Sequence, residues 1–275
     1  MRFILFFLNL LLLQQINNAQ DSTVAGKSIQ ENLINDTGIL AKDFVSFYGE
    51  PINFSIAEWL YTAGVVGGTF LLIGIDEEIK NKIGRNTIQT LNGDFWDVPT
   101  SYGITPYATI FSLSTYAAGL ISGSDDIRTT GRLLCESLII SGTGIIVMRY
   151  LAGRVRPYYE KGPWEFRSFQ TSNEFQSFPS GHTSVAFAIS TVLAERIDNI
   201  WARVGFYSMA TLTAYARVLN NQHFLSDVVW GALLGFGAGI YVVNSEEERE
   251  NPKDGKSKFS ILPYVNGISI LYKLN

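Results

Sequence analysis

The chain has 275 residues, 47% hydrophobic and 17% charged, with a formal net charge of −4. That length supports one large domain or two small ones, and the acidic balance excludes an electrostatic nucleic-acid surface. With one cysteine and two histidines, neither a disulfide scaffold nor zinc-type Cys/His spacing is present.

Residues 1–19 read as a signal peptide. Arg2 is their lone charge, an apolar stretch runs to Leu13, and a polar stretch ends at Ala19, the expected cleavage point. Residues 20–56 form an N-terminal arm, polar and mixed, with a short helix at 40–48 stopped by Gly49 and Pro51. A helical bundle is expected over 57–244, its members drawn from 59–75, 104–121, 133–154, 183–196, 201–219 and 225–243. Two loops rich in aromatics interrupt them. Residues 91–103 carry Phe95, Trp96 and Tyr102 and read as a rim, a lid or an ordinary connection. Residues 161–178 carry Trp164, Phe166, Phe169, Phe175 and Phe178, rings suited to an apolar tail or a membrane interface.

Gly231, Gly235 and Gly239 recur at four-residue spacing, which puts them on one helix face and permits close helix contact. Residues 245–258 are a charged linker, and 259–275 read as a C-terminal β-hairpin turning at Asn266-Gly267. The expected fold class is therefore all-α: a helical bundle of about six core helices with a short C-terminal β-hairpin.

A membrane span needs about 20 apolar residues. The uncharged runs here are short or rich in Gly, Ser and Thr, and Glu136, Arg149 and Arg217 lie in or at the ends of helices. The expectation is an exported, periplasmic or cell-envelope protein, a soluble bundle whose contact with a membrane is confined to its surface.

Three polar clusters interrupt the apolar pattern. Arg149 and Arg156 stand seven positions apart, two helical turns, at the end of one helix. Pro179-Ser180-Gly181-His182 opens the next helix with a hydroxyl, backbone N–H groups and the positive end of the helix dipole, a recipe for holding an anion. Arg217, His223 and Asp227 follow, with the last two placed so that the carboxylate can orient a ring nitrogen.

In their order and spacing these clusters resemble the tripartite signature of the type 2 phosphatidic acid phosphatase superfamily. That superfamily also holds bacterial non-specific acid phosphatases and vanadium-dependent haloperoxidases. Its pattern K-x6-RP, PSGH and SR-x5-H-x3-D is matched across residues 149–227, with Arg149 in place of Lys and Ala216 in place of Ser. The resemblance implies a metal-independent phosphatase acting on a phosphomonoester or diphosphate, lipid-linked or small, through a phosphohistidine. It implies that Arg149, Arg156, Ser180, Gly181 and Arg217 bind the phosphate and that His223 is the nucleophile. It further implies that Asp227 fixes the His223 tautomer and that His182 protonates the leaving oxygen and then activates water. No metal and no cofactor are implied, and no oligomeric state. Two alternatives stand beside it: a haloperoxidase-like enzyme holding vanadate in the same pocket, and a non-catalytic envelope protein that binds its ligand.

Overall fold

In this computed structural model the described residues are 28–87, 93–251, 259–264 and 267–272. The expected signal peptide at 1–19 lies outside them, as does half of the expected linker.

Helix α1, Ile29–Gly49, starts at a reciprocal cap. The Glu31 N–H donates to Ser28 Oγ, and the Ser28 N–H donates to the Glu31 carboxylate. It is far longer than the short helix expected in the arm, and it is tied to the bundle by the Tyr48 hydroxyl, which donates to the Ile140 carbonyl at 2.6 Å. Helix α2, Ile56–Thr87, follows, then α3, Gly93–Tyr102, where a loop had been expected. Helices α4, Thr105–Ser122, and α5, Asp125–Ala152, meet at Gly123, whose φ of 71° suits glycine. The bundle closes with α6, Gly181–Arg196; α7, Ile200–Leu219; and α8, Leu225–Glu250, which runs into the expected linker.

The fold expectation is corrected accordingly. The described residues hold eight α-helices rather than about six, and the packed body is an all-α bundle with no strand as a layer. Segments Phe259–Tyr264 and Gly267–Tyr272 pair antiparallel with each other, Ile261 opposite Ile270.

Helix α6 is the central element. It buries Val185, Ala186, Ile189, Val192 and Leu193 against Leu133, Leu134 and Ile140 of α5, Ala210 of α7 and Val242 of α8. Being buried around most of its circumference, it has little use for a polar face. The glycine stripe of α8 lies directly on it. A side-chain carbon at Gly231 would stand 2.4 Å from the Ser180 carbonyl, and one at Gly235 would stand 2.1 Å from that of Ser184. Only glycine allows this approach, and the approach carries the start of α8 to the start of α6.

The soluble-bundle expectation fails on the outer helices. Three of them, Ile56–Ile83, Asp125–Ala152 and Leu225–Glu250, are long and apolar enough to cross a membrane. Of the most apolar window of α2, 11% is buried. Trp59, Leu60, Phe70 and Leu71 of that helix face outward, joined by Ile110 and Leu113 of α4 and Ile146 of α5. Exposed apolar surface on this scale calls for a nonaqueous partner. These findings favour an integral-membrane form. The uncharged stretches look short because polar residues that α5 and α8 turn inward interrupt runs that remain apolar on their outer face.

Candidate active site

The C-terminal end of α5 and the N-terminal ends of α6 and α8 meet at one end of the bundle, with the end of α7 beside them. Arg149 sits in the last turn of α5, which stops at Gly153 with φ 60°. A side chain at Gly153 would collide with the Arg167 carbonyl at 1.6 Å, so the turn requires glycine. The chain then runs through Arg154 and Arg156 into the long loop that returns to Ser180.

Arg149 Nε donates to the Pro179 carbonyl at 3.0 Å, which aims its Nη groups across Gly181; a β-carbon there would lie 3.0 Å from Nη2. Arg156 Nε donates to the Asn173 carbonyl at 2.9 Å, and its Nη1 donates to Gln222 Oε1 at 3.0 Å. Gln222 Oε1 also accepts from Arg217 Nη2 at 3.5 Å, so one amide oxygen bridges two guanidinium groups. Among the described residues none of Arg149, Arg156 and Arg217 forms an ion pair, and Arg217 Nε is buried with no hydrogen-bond partner. Burial and the neighbouring Arg156 charge lower the Arg217 pKa to about 10. Three clustered cations without a counter-ion make a site that is complete only with an anion.

Ser180 is the N-cap of α6, but its hydroxyl makes no capping bond and instead accepts from Thr183 Oγ1 at 3.0 Å. The first-turn amides of α6 therefore stay available to an anion. His182 follows in the first helical turn. Burial first, then the charges of Arg217, His223, Arg149 and Arg156, push its pKa down to about 3.

His223 is buried in the turn between α7 and α8. Its Nδ1 donates to the Ser177 carbonyl at 2.7 Å, whereas Asp227 Oδ2 lies 3.7 Å away. A carbonyl oxygen can only accept, so Nδ1 carries the proton and Nε2 keeps its lone pair. The expectation that Asp227 fixes the tautomer is thus replaced by a backbone contact. Burial first lowers the His223 pKa to about 4, helped by Arg149 and Arg156 and opposed by Asp227.

Asp227 is itself held from several sides. Its Oδ2 accepts from Ser177 Oγ at 2.5 Å and from the Phe224 N–H at 2.8 Å; its Oδ1 accepts from Arg154 Nη1 at 2.6 Å. Arg154, wholly buried, also donates to Ser226 Oγ and to Asp76 of α2. Arg154, Asp76, Ser177 and Gln222 escaped the sequence reading. The hint for Arg154 was its place between Arg149 and Arg156, and the hint for Asp76 was a carboxylate closing an apolar run.

The eight residues expected from sequence all stand at this end of the bundle. The aromatic loops divide. Trp96 is buried against Tyr215, Tyr102 is buried and bonded to Ser190, and Phe175 is buried, so these fill the core. Trp164 and Phe169 are exposed beside the site's loop.

The described residues thus form an all-α bundle that gathers two histidines and three arginines without ion pairs around a helix N-terminus. Residues 130–250 match the PAP2 superfamily. Over 117 residues it is 34% identical to the lipid A 1-phosphatase of Porphyromonas gingivalis, covering 41% of this chain and 23% of that protein. Over 110 residues it is 32% identical to the lipid A 1-phosphatase of Rhizobium johnstonii, covering 39% and 43%. The chain thus spans less than half the length of these curated relatives. Its fold is similar to that of the transmembrane PAP2 type phosphatidylglycerolphosphate phosphatase from Bacillus subtilis, with TM-score 0.52 and 18% identity over 68% of this chain and 96% of that one.

Proposed function

We propose that this protein is a metal-independent phosphatase that hydrolyses the phosphomonoester of a membrane lipid through a phosphohistidine. The observation that carries the reading is the trio Arg149, Arg156 and Arg217, gathered without a single carboxylate partner among the described residues. A phosphoryl group in transit spreads charge over three oxygens, and preorganised guanidinium and backbone donors stabilise that charge.

His223 Nε2 attacks phosphorus while the bond to the leaving oxygen breaks. His182 delivers the proton that this oxygen needs, then takes one from the water that opens the phosphohistidine. In the free site His182 is neutral near pH 7, because burial and the arginines depress it to about 3. A bound phosphate anion offsets those cations, so the ring acquires its proton together with the substrate. Asp227 stabilises the imidazolium character that His223 gains on phosphorylation.

The lipid assignment is supported by the apolar outer face of the helices, by exposed Trp164 and Phe169 beside the site, and by the substrates named for the relatives. The test is phosphate release by detergent-solubilised full-length protein from a lipid phosphate in mixed micelles and from an aryl phosphate. A higher kcat/KM on the lipid is expected. No release from either substrate, or bromide oxidation by peroxide in the presence of vanadate, would overturn the reading.

A further inference from the structure

A carboxylate on an apolar, outward-facing helix is costly and calls for a reason. Among the residues of α2 whose burial is described, Thr69, Ile73 and Asp76 are buried, one narrow stripe against the bundle. Thr69 accepts a hydrogen bond from Trp230 of α8, and Lys80, further along the stripe, pairs with Glu160 at 2.7 Å. Asp76 goes deeper. Its Oδ1 accepts from the Ser226 N–H at 3.0 Å, and its Oδ2 accepts from Ser226 Oγ at 2.5 Å and from Arg154 Nη2 at 2.8 Å.

The other arm of Arg154, Nη1, reaches Asp227, while Nε and Nη2 both donate to the Pro163 carbonyl. Phe224 covers the guanidinium at 4.4 Å and Phe166 at 5.4 Å. Its rotation is therefore blocked, and Asp76 and Asp227 grip opposite arms of one rigid fork. The three groups sum to one negative charge. Were Asp76 neutral, Arg154 would offset more of the Asp227 charge felt at His223.

We propose that Asp76 is a positioning residue for the phosphatase site, acting through Arg154 to hold Asp227 in place and keep its negative charge effective at His223. The role rests on the phosphatase reading. The charged and titratable groups facing His223 are Asp227 of α8, Arg149 of α5, Arg156 of the following loop, His182 of α6 and Arg217 of α7. Among these Asp227 is the lone anion, so a reduction of its net field acts in one direction.

The experiment measures kcat and KM against pH for full-length protein on an aryl phosphate, with vanadate binding to count intact sites. Asp76→Asn should lower kcat by about 10- to 100-fold, the scale of a slightly misplaced reacting group. KM should hold within about threefold, and the acid limb of kcat/KM should move to lower pH, since removing a negative charge makes His223 harder to protonate. Ser226→Ala keeps all three charges and removes hydrogen bonds to Asp76 and from Arg154. It should lower kcat several-fold with KM held and the acid limb unmoved.

An unmoved limb with unchanged kcat per vanadate-binding site in Asp76→Asn would overturn the proposal. If Asp76→Asn binds no vanadate because it fails to fold, Ser226→Ala decides, and an unchanged kcat there overturns the role. Wild-type protein that releases no phosphate at all would instead strike down the phosphatase reading, and this role with it.

Discussion

The Nδ1 of His223 lies 2.7 Å from the carbonyl oxygen of Ser177 and 3.7 Å from Asp227 Oδ2. The ring's tautomer is therefore set by the backbone of the loop that precedes α6, while Asp227 contributes charge from slightly further away. The two jobs that one carboxylate performs in a Ser-His-Asp triad are divided here between two groups.

That division predicts a moderate effect for Asp227→Asn. Where a carboxylate sets the tautomer, the change to Asn costs about 10⁴-fold in kcat. Here Ser177 keeps the proton on Nδ1, and the expected loss in kcat is about 100-fold. Steady-state kinetics on protein shown to bind vanadate will measure it. A loss of four orders of magnitude would place the tautomer under Asp227 after all.

The pH profile should carry the mark of burial. His223 must be neutral to attack, and its pKa is lowered to about 4 rather than the ordinary 6.5. The acid limb of kcat/KM should therefore fall near pH 4, with activity kept through pH 5–6. The same shift bears on folding. Between pH 6.5 and 4 the unfolded chain binds the proton that the folded histidine refuses, so stability falls as pH drops through that window. Thermal unfolding followed across the window, beside the rate profile, checks both consequences.

Vanadate, a trigonal-bipyramidal mimic of the phosphoryl in transit, should inhibit the enzyme and raise its Tm. Filling the site at about 100 times Kd contributes about 2.7 kcal/mol to folding stability. Arg156→Ala should abolish most of the shift, since Arg156 is one of three cations that await the anion. EDTA should leave activity unchanged, because the arginines supply the positive charge. Metal-reversible loss in EDTA would contradict this assignment of roles.

Membrane integration makes its own prediction. The protein should stay with the membrane fraction after alkaline carbonate extraction and require detergent for release. A lysine at Leu71, on the outward face of α2, should reduce insertion, a charge at the centre of a span costing about 2.5–3.5 kcal/mol. Release by carbonate alone would restore a soluble bundle.

Much of the site was legible because its residues keep strict spacings along the chain. Arg149 and Arg156 stand seven positions apart, and Arg217, His223 and Asp227 follow at intervals of six and four. What supports them was not. Asp76 meets Arg154 across 78 positions and Ser226 across 150, and no local period signals such contacts. Helix α3 was hidden by Gly93 and Pro99, which read as breakers although the helix accommodates Pro99. The membrane-facing surface was hidden for a different reason. Buried Arg132 of α5 pairs with Glu136 of the same helix at 2.7 Å and also with Asp36 of α1 and Glu246 of α8, so these charges stay off the outer face.

The central claim is that His223 carries the phosphoryl group. The direct measurement is a rapid alkaline quench of wild type, His182→Ala and His223→Ala turning over a radiolabelled aryl phosphate, followed by isolation of labelled protein. Wild type should hold a small amount of acid-labile, alkali-stable label on His223. His182→Ala should hold label longer, because its water is no longer activated, and His223→Ala should hold none and turn over no substrate. Turnover by His223→Ala within about tenfold of wild type, or label on that variant, would contradict the account.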